Sequence, residues 1–378
     1  MGAAGDNRIR DLLLQGQSVW LDFISRDLIS RGALARMIEE DGLRGMTSNP
    51  SIFEKAVSGS RTYDAEITAL GSEGFAAPAV FDRLAIADVT SACDAFAGVY
   101  RESGGGDGFV SIEVAPSLAY DAEGTLLEAR RLFAAVDRPN VLVKIPGTRQ
   151  GLPAIRAAIA AGVNINITLL FSLQNYAEVA EAYMAGLEER LAGGLPLAGV
   201  ASVASFFVSR IDTLVDGWLE EKAASDTAGR SQLLDLRGRL GVANSKLAYE
   251  RFQQIIASAR WQRLAEAGAS PQRMLWASTS TKNPAYPDLI YVDNLIGPHT
   301  VNTLPEATYA AFKDHGRVAR TVDAQVEAAR AHLEELAAAG ISVDAATDKL
   351  QVDGVDLFAK AFDGVLAIVE ERRRELLA

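Results

Sequence analysis

Lys144 is an ammonium group inside an apolar run, Val-Leu-Val-Lys-Ile-Pro-Gly over residues 141–147. β-Branched residues closed by Pro146 and Gly147 predict a buried parallel strand with a turn after it. A lysine in that position must pair, hydrate or give up its proton. As a neutral amine it can form a Schiff base with a carbonyl, one of the few chemical reasons to keep it there. The alternative is a strand-end lysine whose aliphatic stem carries the charge out to water. Of the eight lysines only Lys144 lies in such a strand, so as a nucleophile it has no competitor. Polar side chains interrupt the neighbouring apolar segments in the same way. Asp22 stands in Ser-Val-Trp-Leu-Asp-Phe-Ile, Asn49 precedes Pro50, and Glu113 shares a face with Ser111. Asn166 and Thr168 alternate with Ile165 and Ile167, and Ser205 and Arg210 close the next segment. Carboxylates near an amine suit proton transfer. Taken singly, each of these residues is better explained as a hydrogen-bonded core group.

The elements that must position them follow from periodicity. Strands are predicted at 18–24, 45–50, 109–114, 141–147, 163–169, 199–208, 273–279 and 299–304. Helices are predicted at 9–14, 33–40, 81–102, 126–136, 152–161 and 174–191, then across 211–267 around a polar loop at 225–230. A short helix is expected within 286–296, and a helical tail over 321–377 with breaks near Gly340 and Gly354. Strands alternating with helices predict a (β/α)8 TIM barrel with extra helices at both termini. The expected organisation is a single domain over 1–378, with a helical insertion at about 211–268 and a tail at about 321–378. In such a barrel chemistry sits at the carboxyl ends of the strands, where Asp22, Asn49, Glu113, Lys144, Asn166, Thr168 and Ser205 fall.

Composition removes several function classes. The chain is 49% hydrophobic and 23% charged, ordinary for a protein with a large core. A net charge of -12 argues against nucleic acid or an anionic membrane as partner, and any anionic substrate needs locally placed cations. Cys93, the only cysteine, fits a reducing, cytoplasmic setting. Residues 1–10 lack the apolar core of a secretory leader, and no run is long enough to span a membrane. His299, His315 and His332 have no ligand spacing, and two of them fall on helical stretches expected to be exposed, so no metal is expected. Gly104 to Gly106 follow a helix and form no phosphate fingerprint, and no cofactor is implied.

The blocks Thr47-Ser-Asn-Pro-Ser51, Val110-Ser-Ile-Glu-Val114, Val143-Lys-Ile-Pro-Gly147, Asn164-Ile-Asn-Ile-Thr-Leu-Leu-Phe171 and Ser205-Phe-Phe-Val-Ser-Arg210 resemble those of the transaldolases in order and spacing. Thr300-Val-Asn-Thr-Leu-Pro305 and the tail resemble the longer bacterial and plant-type branch. The resemblance implies sugar-phosphate substrates and transfer of a dihydroxyacetone unit from sedoheptulose 7-phosphate to glyceraldehyde 3-phosphate. It implies Lys144 as the Schiff-base lysine and Asp22 as the base at the C4 hydroxyl. Glu113 and Thr168, with a water between them, are implied in carbinolamine proton transfer, unless Glu113 is a structural ion-pair partner. Asn49, Asn166 and Ser205 would orient the substrate. Arg210 is the leading phosphate ligand, its alternative being a helix-start arginine that bridges loops, and Lys282 is second. Many transaldolases carry arginine where Lys282 stands, so a point charge replaces a planar fork. Two rivals are a fructose 6-phosphate aldolase-like lyase, with glutamine at position 113 and tyrosine near 207, and a non-catalytic sugar-phosphate-binding barrel. Glu113 and Phe207 favour transfer. Related enzymes are often dimers, so the resemblance allows a homodimer.

Overall fold

The computed structural model describes residues 7–226 and 228–378. The leader-free reading of residues 1–6 and the loop assignment at Thr227 lie outside the described residues. Eight parallel strands close into one barrel in chain order: β1 (Gln17–Leu21), β2 (Gly45–Met46), β3 (Phe109–Glu113), β4 (Val141–Pro146), β5 (Ile165–Leu170), β6 (Ser202–Phe207), β7 (Arg273–Ala277) and β8 (Thr300–Leu304). Helices cover the outside, and β8 pairs with β1 to close the ring. This is the (β/α)8 barrel expected from the alternating pattern.

Alternation along each strand separates two cores. Val19, Leu21, Met46, Val110, Ile112, Val143, Ile145, Ile165, Ile167, Ala204 and Met274 pack outward with the helices. Trp20, Phe109, Leu142, Val203, Leu275 and Val301 point the other way and fill the barrel. Gly45 makes room for this plug, since a Cβ there would come within 2.7 Å of the Trp20 indole. Beneath the plug, Asp107 accepts the Trp20 indole N–H at 2.9 Å and lies 3.6 Å from Arg273. With the amino end filled by apolar and ion-paired side chains, the open polar interior is left at the carboxyl end.

Several boundaries differ from the sequence expectations, for identifiable reasons. β1 ends at Leu21, so Asp22 follows the strand, although its N–H still bonds to Leu304 O at 2.8 Å. β2 is two residues long because Asn49 leaves the sheet to cap helix Pro50–Gly59, its Oδ1 accepting from the Ile52 N–H at 3.1 Å. The expected helix at 81–102 is two helices, Ala77–Ala95 and Ala97–Glu102. On β5 the register shifts between Ile167 and Leu170, and Leu169 takes φ +60°, so the strict alternation ends there. Leu169 joins the inner cluster instead of the outer belt.

The tail is helical, as expected, but only one of the two breaks exists. Gly340 (φ +74°) separates Val326–Ala338 from Val343–Leu377, whereas Gly354 lies inside that second, 35-residue helix. Its missing side chain has a packing role, because a Cβ on Gly354 would stand 2.9 Å from Leu169 Cδ2. The Gln351 amide latches this helix to the barrel, donating to Gly147 O at 3.2 Å and to Asn175 Oδ1 at 2.9 Å. Phe362 meets Phe81 edge-on at 5.6 Å. The tail helix therefore roofs part of the carboxyl end of the barrel.

Because the Trp20 ring is locked inside the plug, Gly45→Ala is expected to destabilise the protein by about 1–3 kcal/mol through overpacking. Urea denaturation measures this as a lower midpoint at unchanged slope.

Candidate active site

A cavity of about 220 Å³ opens at the carboxyl end of the barrel. Asp22, Asn49, Lys144, Thr168, Ser205, Arg210 and Lys282 all line it. The remaining two sequence candidates, Glu113 and Asn166, stand behind that lining and touch it through their partners. Phe358 of the tail helix closes one side, its ring 5.5 Å from Lys144 Nζ.

Lys144 is 5% exposed, and its register partners are Glu113 on β3 and Asn166 on β5. Nζ lies 3.7 Å from Glu113 Oε2, an ion pair too long for a hydrogen bond, and donates to Ser48 O at 3.3 Å. The Lys144 stem thus does not carry its charge out to solvent. Both Glu113 oxygens and the Thr168 hydroxyl are buried with no hydrogen-bond partner in the chain. Buried polar atoms of this kind are normally satisfied by water or ligand. Burial pushes the Glu113 carboxyl up to about 7, against the lowering effect of the Lys144 charge.

Asp22 accepts a hydrogen bond from Thr47 Oγ1 at 2.7 Å, and Thr47 in turn contacts Thr303 Oγ1 at 2.7 Å. Burial raises the Asp22 pKa above the ordinary carboxylate value, opposed by the charges of Lys144, Lys282 and Arg210 and by the Thr47 bond. Three cations therefore act on one carboxylate at the mouth of the barrel. Asn166 is fully buried, with Nδ2 donating to Ser111 Oγ at 3.0 Å and Oδ1 accepting from Ser205 Oγ at 2.6 Å. This chain across three strands fixes the rotamer of Ser205. Asn49 has its Oδ1 engaged in the helix cap, which leaves its amide hydrogens for the cavity.

The cationic side of the cavity is set by two short-range constraints. Arg210 lies in the first turn of helix Ser209–Ser225, its guanidinium 5.0 Å from the Phe207 ring centroid. Burial lowers the Arg210 pKa against the pull of Asp22. Lys282 Nζ donates to Ser280 Oγ at 2.6 Å, and burial with the Arg210 charge lowers its pKa too. Two cations that disfavour each other across a cavity call for an anion between them.

Lining residues without an assigned role in the sequence reading include Ser51, Ser278, Ser280, Thr303, Pro305 and Phe358. Ser278 and Ser280 follow β7 and Thr303 lies near the end of β8, a signal legible in the sequence, whereas Ser51 is in the first turn of helix Pro50–Gly59. Phe358 had none, because helical periodicity does not reveal which residue of a long amphipathic tail covers a distant cavity.

Residues 19–369 match the family described as Transaldolase/Fructose-6-phosphate aldolase. A protein of Trichodesmium erythraeum named "Transaldolase" is 44% identical over 98% of each chain. One of Nostoc sp. named "Transaldolase 2" is 45% identical over 96% of this chain and 97% of its own. A "Transaldolase" of Parafrankia sp. is 46% identical over 96% and 97% respectively.

The raised carboxyl of Glu113 has a sign that stability measurements can read. With a folded-state pKa of about 7 against an ordinary 4.5, the unfolded chain releases this proton first as pH rises. Its contribution is therefore complete below about pH 4.5, declines up to about pH 7 and is constant above. Glu113→Gln is expected to remove that part of the decline, measured as the difference between the two unfolding free energies at pH 5 and pH 8 (about the ends of the window).

Proposed function

The chain belongs to the transaldolase family, and we propose that its barrel carries a dihydroxyacetone unit from sedoheptulose 7-phosphate to glyceraldehyde 3-phosphate, yielding erythrose 4-phosphate and fructose 6-phosphate. The observation that carries the residue assignments is the buried Lys144 amine, 3.7 Å from Glu113 and lining one cavity with Asp22. The chain is one barrel unit in this reading, with the helices after β6 and the tail as additions to it.

In the first half-reaction the Lys144 ammonium gives up a proton, Nζ adds to the C2 carbonyl of the ketose, and the carbinolamine loses water to give an iminium. Glu113, with a pKa of about 7, is balanced between acid and base near neutrality. Through a water shared with Thr168 it protonates the departing hydroxyl, and in the reverse sense it activates water for imine hydrolysis. Asp22 takes the C4 hydroxyl proton, the C3–C4 bond breaks, and its electron pair moves into the iminium to form an enamine. The aldose phosphate leaves. The acceptor aldehyde then enters, the enamine carbon attacks it, and Asp22 returns the proton to the new alkoxide.

Transfer requires the enamine to outlast the exchange of aldehydes. The Phe358 ring beside the amine and the Phe207 ring in the same cavity support this by limiting water, while Asn49 and Ser205, the latter steadied by Asn166, orient the hydroxyls of the three-carbon fragment. Arg210 and Lys282 bind the phosphate at the other end. Glu113 and Phe207 support transfer over simple aldolase cleavage, and the relatives at 44–46% identity are named for transfer. The proposal includes a cytoplasmic location and a homodimer, the assembly being checked by sedimentation. Among the described residues, no helix is long and apolar enough to cross a membrane.

Borohydride reduction in the presence of fructose 6-phosphate is expected to label the peptide carrying Lys144, and Lys144→Ala to abolish both labelling and transfer. Label on any other lysine would overturn the mechanism. Asp22→Ala is expected to lower kcat about 10²–10⁴-fold while leaving the imine trappable. Turnover of fructose 6-phosphate should depend on an added acceptor aldehyde, whereas rapid cleavage without one would identify a lyase.

A further inference from the structure

A second cavity, of about 230 Å³, lies away from the barrel mouth between helices Leu240–Ala257 and Val326–Ala338. Three basic side chains, Arg239, Lys246 and His332, line it together with the amides of Asn294 and Gln325. Neither Arg210 nor Lys282 belongs to it. In a chain of net charge -12, such a concentration of cations and donors needs a reason.

His332 is the most informative member. The sequence places it on a helical stretch expected to be exposed, yet the structure buries it to 1% exposure, because this face of its helix packs on Leu240–Ala257. Both ring nitrogens are buried without a hydrogen-bond partner. The nearest charge, Glu335 Oε2, is 3.5 Å from Nδ1 and is drawn to Arg239 at a similar 3.6 Å. An imidazole left in this way is an uncommon cost, and one removed by a ligand that accepts its hydrogen bonds.

Two further features aim at the same ligand. Helix Val326–Ala338, thirteen residues long, begins after Gln325, which has φ +57° and makes no side-chain cap bond. Its first-turn N–H groups and the positive end of its dipole favour an anion. Lys246 Nζ donates to Ala324 O at 2.7 Å and keeps further hydrogens to offer. Asp323, the acid beside Lys246, is itself held by Arg320 at 3.0 Å.

We propose that this cavity binds a phosphate group, as the free ion or on a small phosphomonoester, through Arg239, Lys246, His332 and the amino end of helix Val326–Ala338. Burial and the Arg239 charge lower the His332 pKa in the empty site, while a bound dianion favours the imidazolium. While the free ligand is a dianion, above its own second pKa of about 6 to 7, binding therefore takes up a proton and tightens as pH falls. The other charged groups facing the site are Arg239, Lys246, Glu335, Asp323 and Arg320.

The test is calorimetric titration of inorganic phosphate, and separately of ethyl phosphate, into full-length Arg210→Gln/Lys282→Gln protein, in which the barrel mouth is silenced. One saturable site is expected for at least one of the two probes, and their ratio distinguishes the free ion from the ester. Adding Arg239→Gln or His332→Gln should weaken binding about tenfold or more, the worth of one hydrogen bond to a charged group. Arg239 is half exposed, so its variant is expected to fold and, in the otherwise unaltered chain, to keep normal transfer activity. Phosphate should also shift the His332 imidazole proton resonances toward the charged form at fixed pH. Absence of saturable binding, equal affinity in the Arg239→Gln background, or binding that tightens as pH rises from about 7.5 to about 8.5, where the ligand is a dianion throughout, would each overturn the proposal.

Discussion

Burial of an amine beside two carboxylates is the constraint on which this molecule depends. At the 3.7 Å separation of Lys144 and Glu113, Coulomb attraction is about 4 kcal/mol at an effective dielectric constant of 20. Removing each charge from water costs several kcal/mol. The cost of burial exceeds the attraction, in keeping with the raised Glu113 carboxyl. The pair does not hold itself together in this geometry; the barrel imposes it. The result is a carboxyl whose protonated and ionised forms are close in free energy at neutral pH, which suits a group that must give and take a proton within one cycle.

The barrel imposes it through a division of its interior. Trp20, Phe109, Leu142, Val203, Leu275 and Val301 pack the amino half, and the ion pairs of Asp107 close the end beneath them. Polar side chains on the inward-facing positions are displaced by this plug to the carboxyl half, where Asp22, Thr47, Lys144, Thr168 and Ser205 converge. No single strand could supply this set, because a strand offers alternate residues only and each residue advances by about 3.3 Å. Neighbouring strands held side by side provide the lateral convergence.

Cationic groups reach the site from outside the sheet, and their placement depends on the helices after β6. Asp212 and Asp216, on the helix that carries Arg210, accept the N–H groups of Gly241 at 2.8 Å and Gly238 at 2.9 Å. The Tyr291 and Tyr286 hydroxyls complete the clasp at 2.8 and 2.7 Å. Burial pushes Asp212 up to about 7, opposed by these bonds. The same 238–241 turn forms an edge of the second cavity. Arg210 and the Arg239 site are thus tied to one set of buried hydrogen bonds, while the tail helix, latched by Gln351, brings Phe358 over the amine.

The sequence by itself determined the alternation of eight strands with helices, hence the barrel, because strand and helix periods are local properties of side-chain order. It also singled out Lys144, since a cationic side chain within a β-branched run is anomalous wherever the run folds. The family resemblance, read from short blocks such as Thr47 to Ser51 and Val143 to Gly147, agrees with the match over residues 19–369. Only the tertiary structure decided which groups face the cavity and which stand behind it. Asn166 and Ser205 look alike along their strands, yet the first is enclosed between Ser111 and Ser205 while the second meets the cavity. The end of β1 at Leu21, the left-handed Leu169 and the unbroken helix through Gly354 were likewise hidden. So were the roof over Lys144 and the burial of His332. In each of these the outcome rests on a contact between segments far apart in the chain, and periodicity carries no information about contacts at that range.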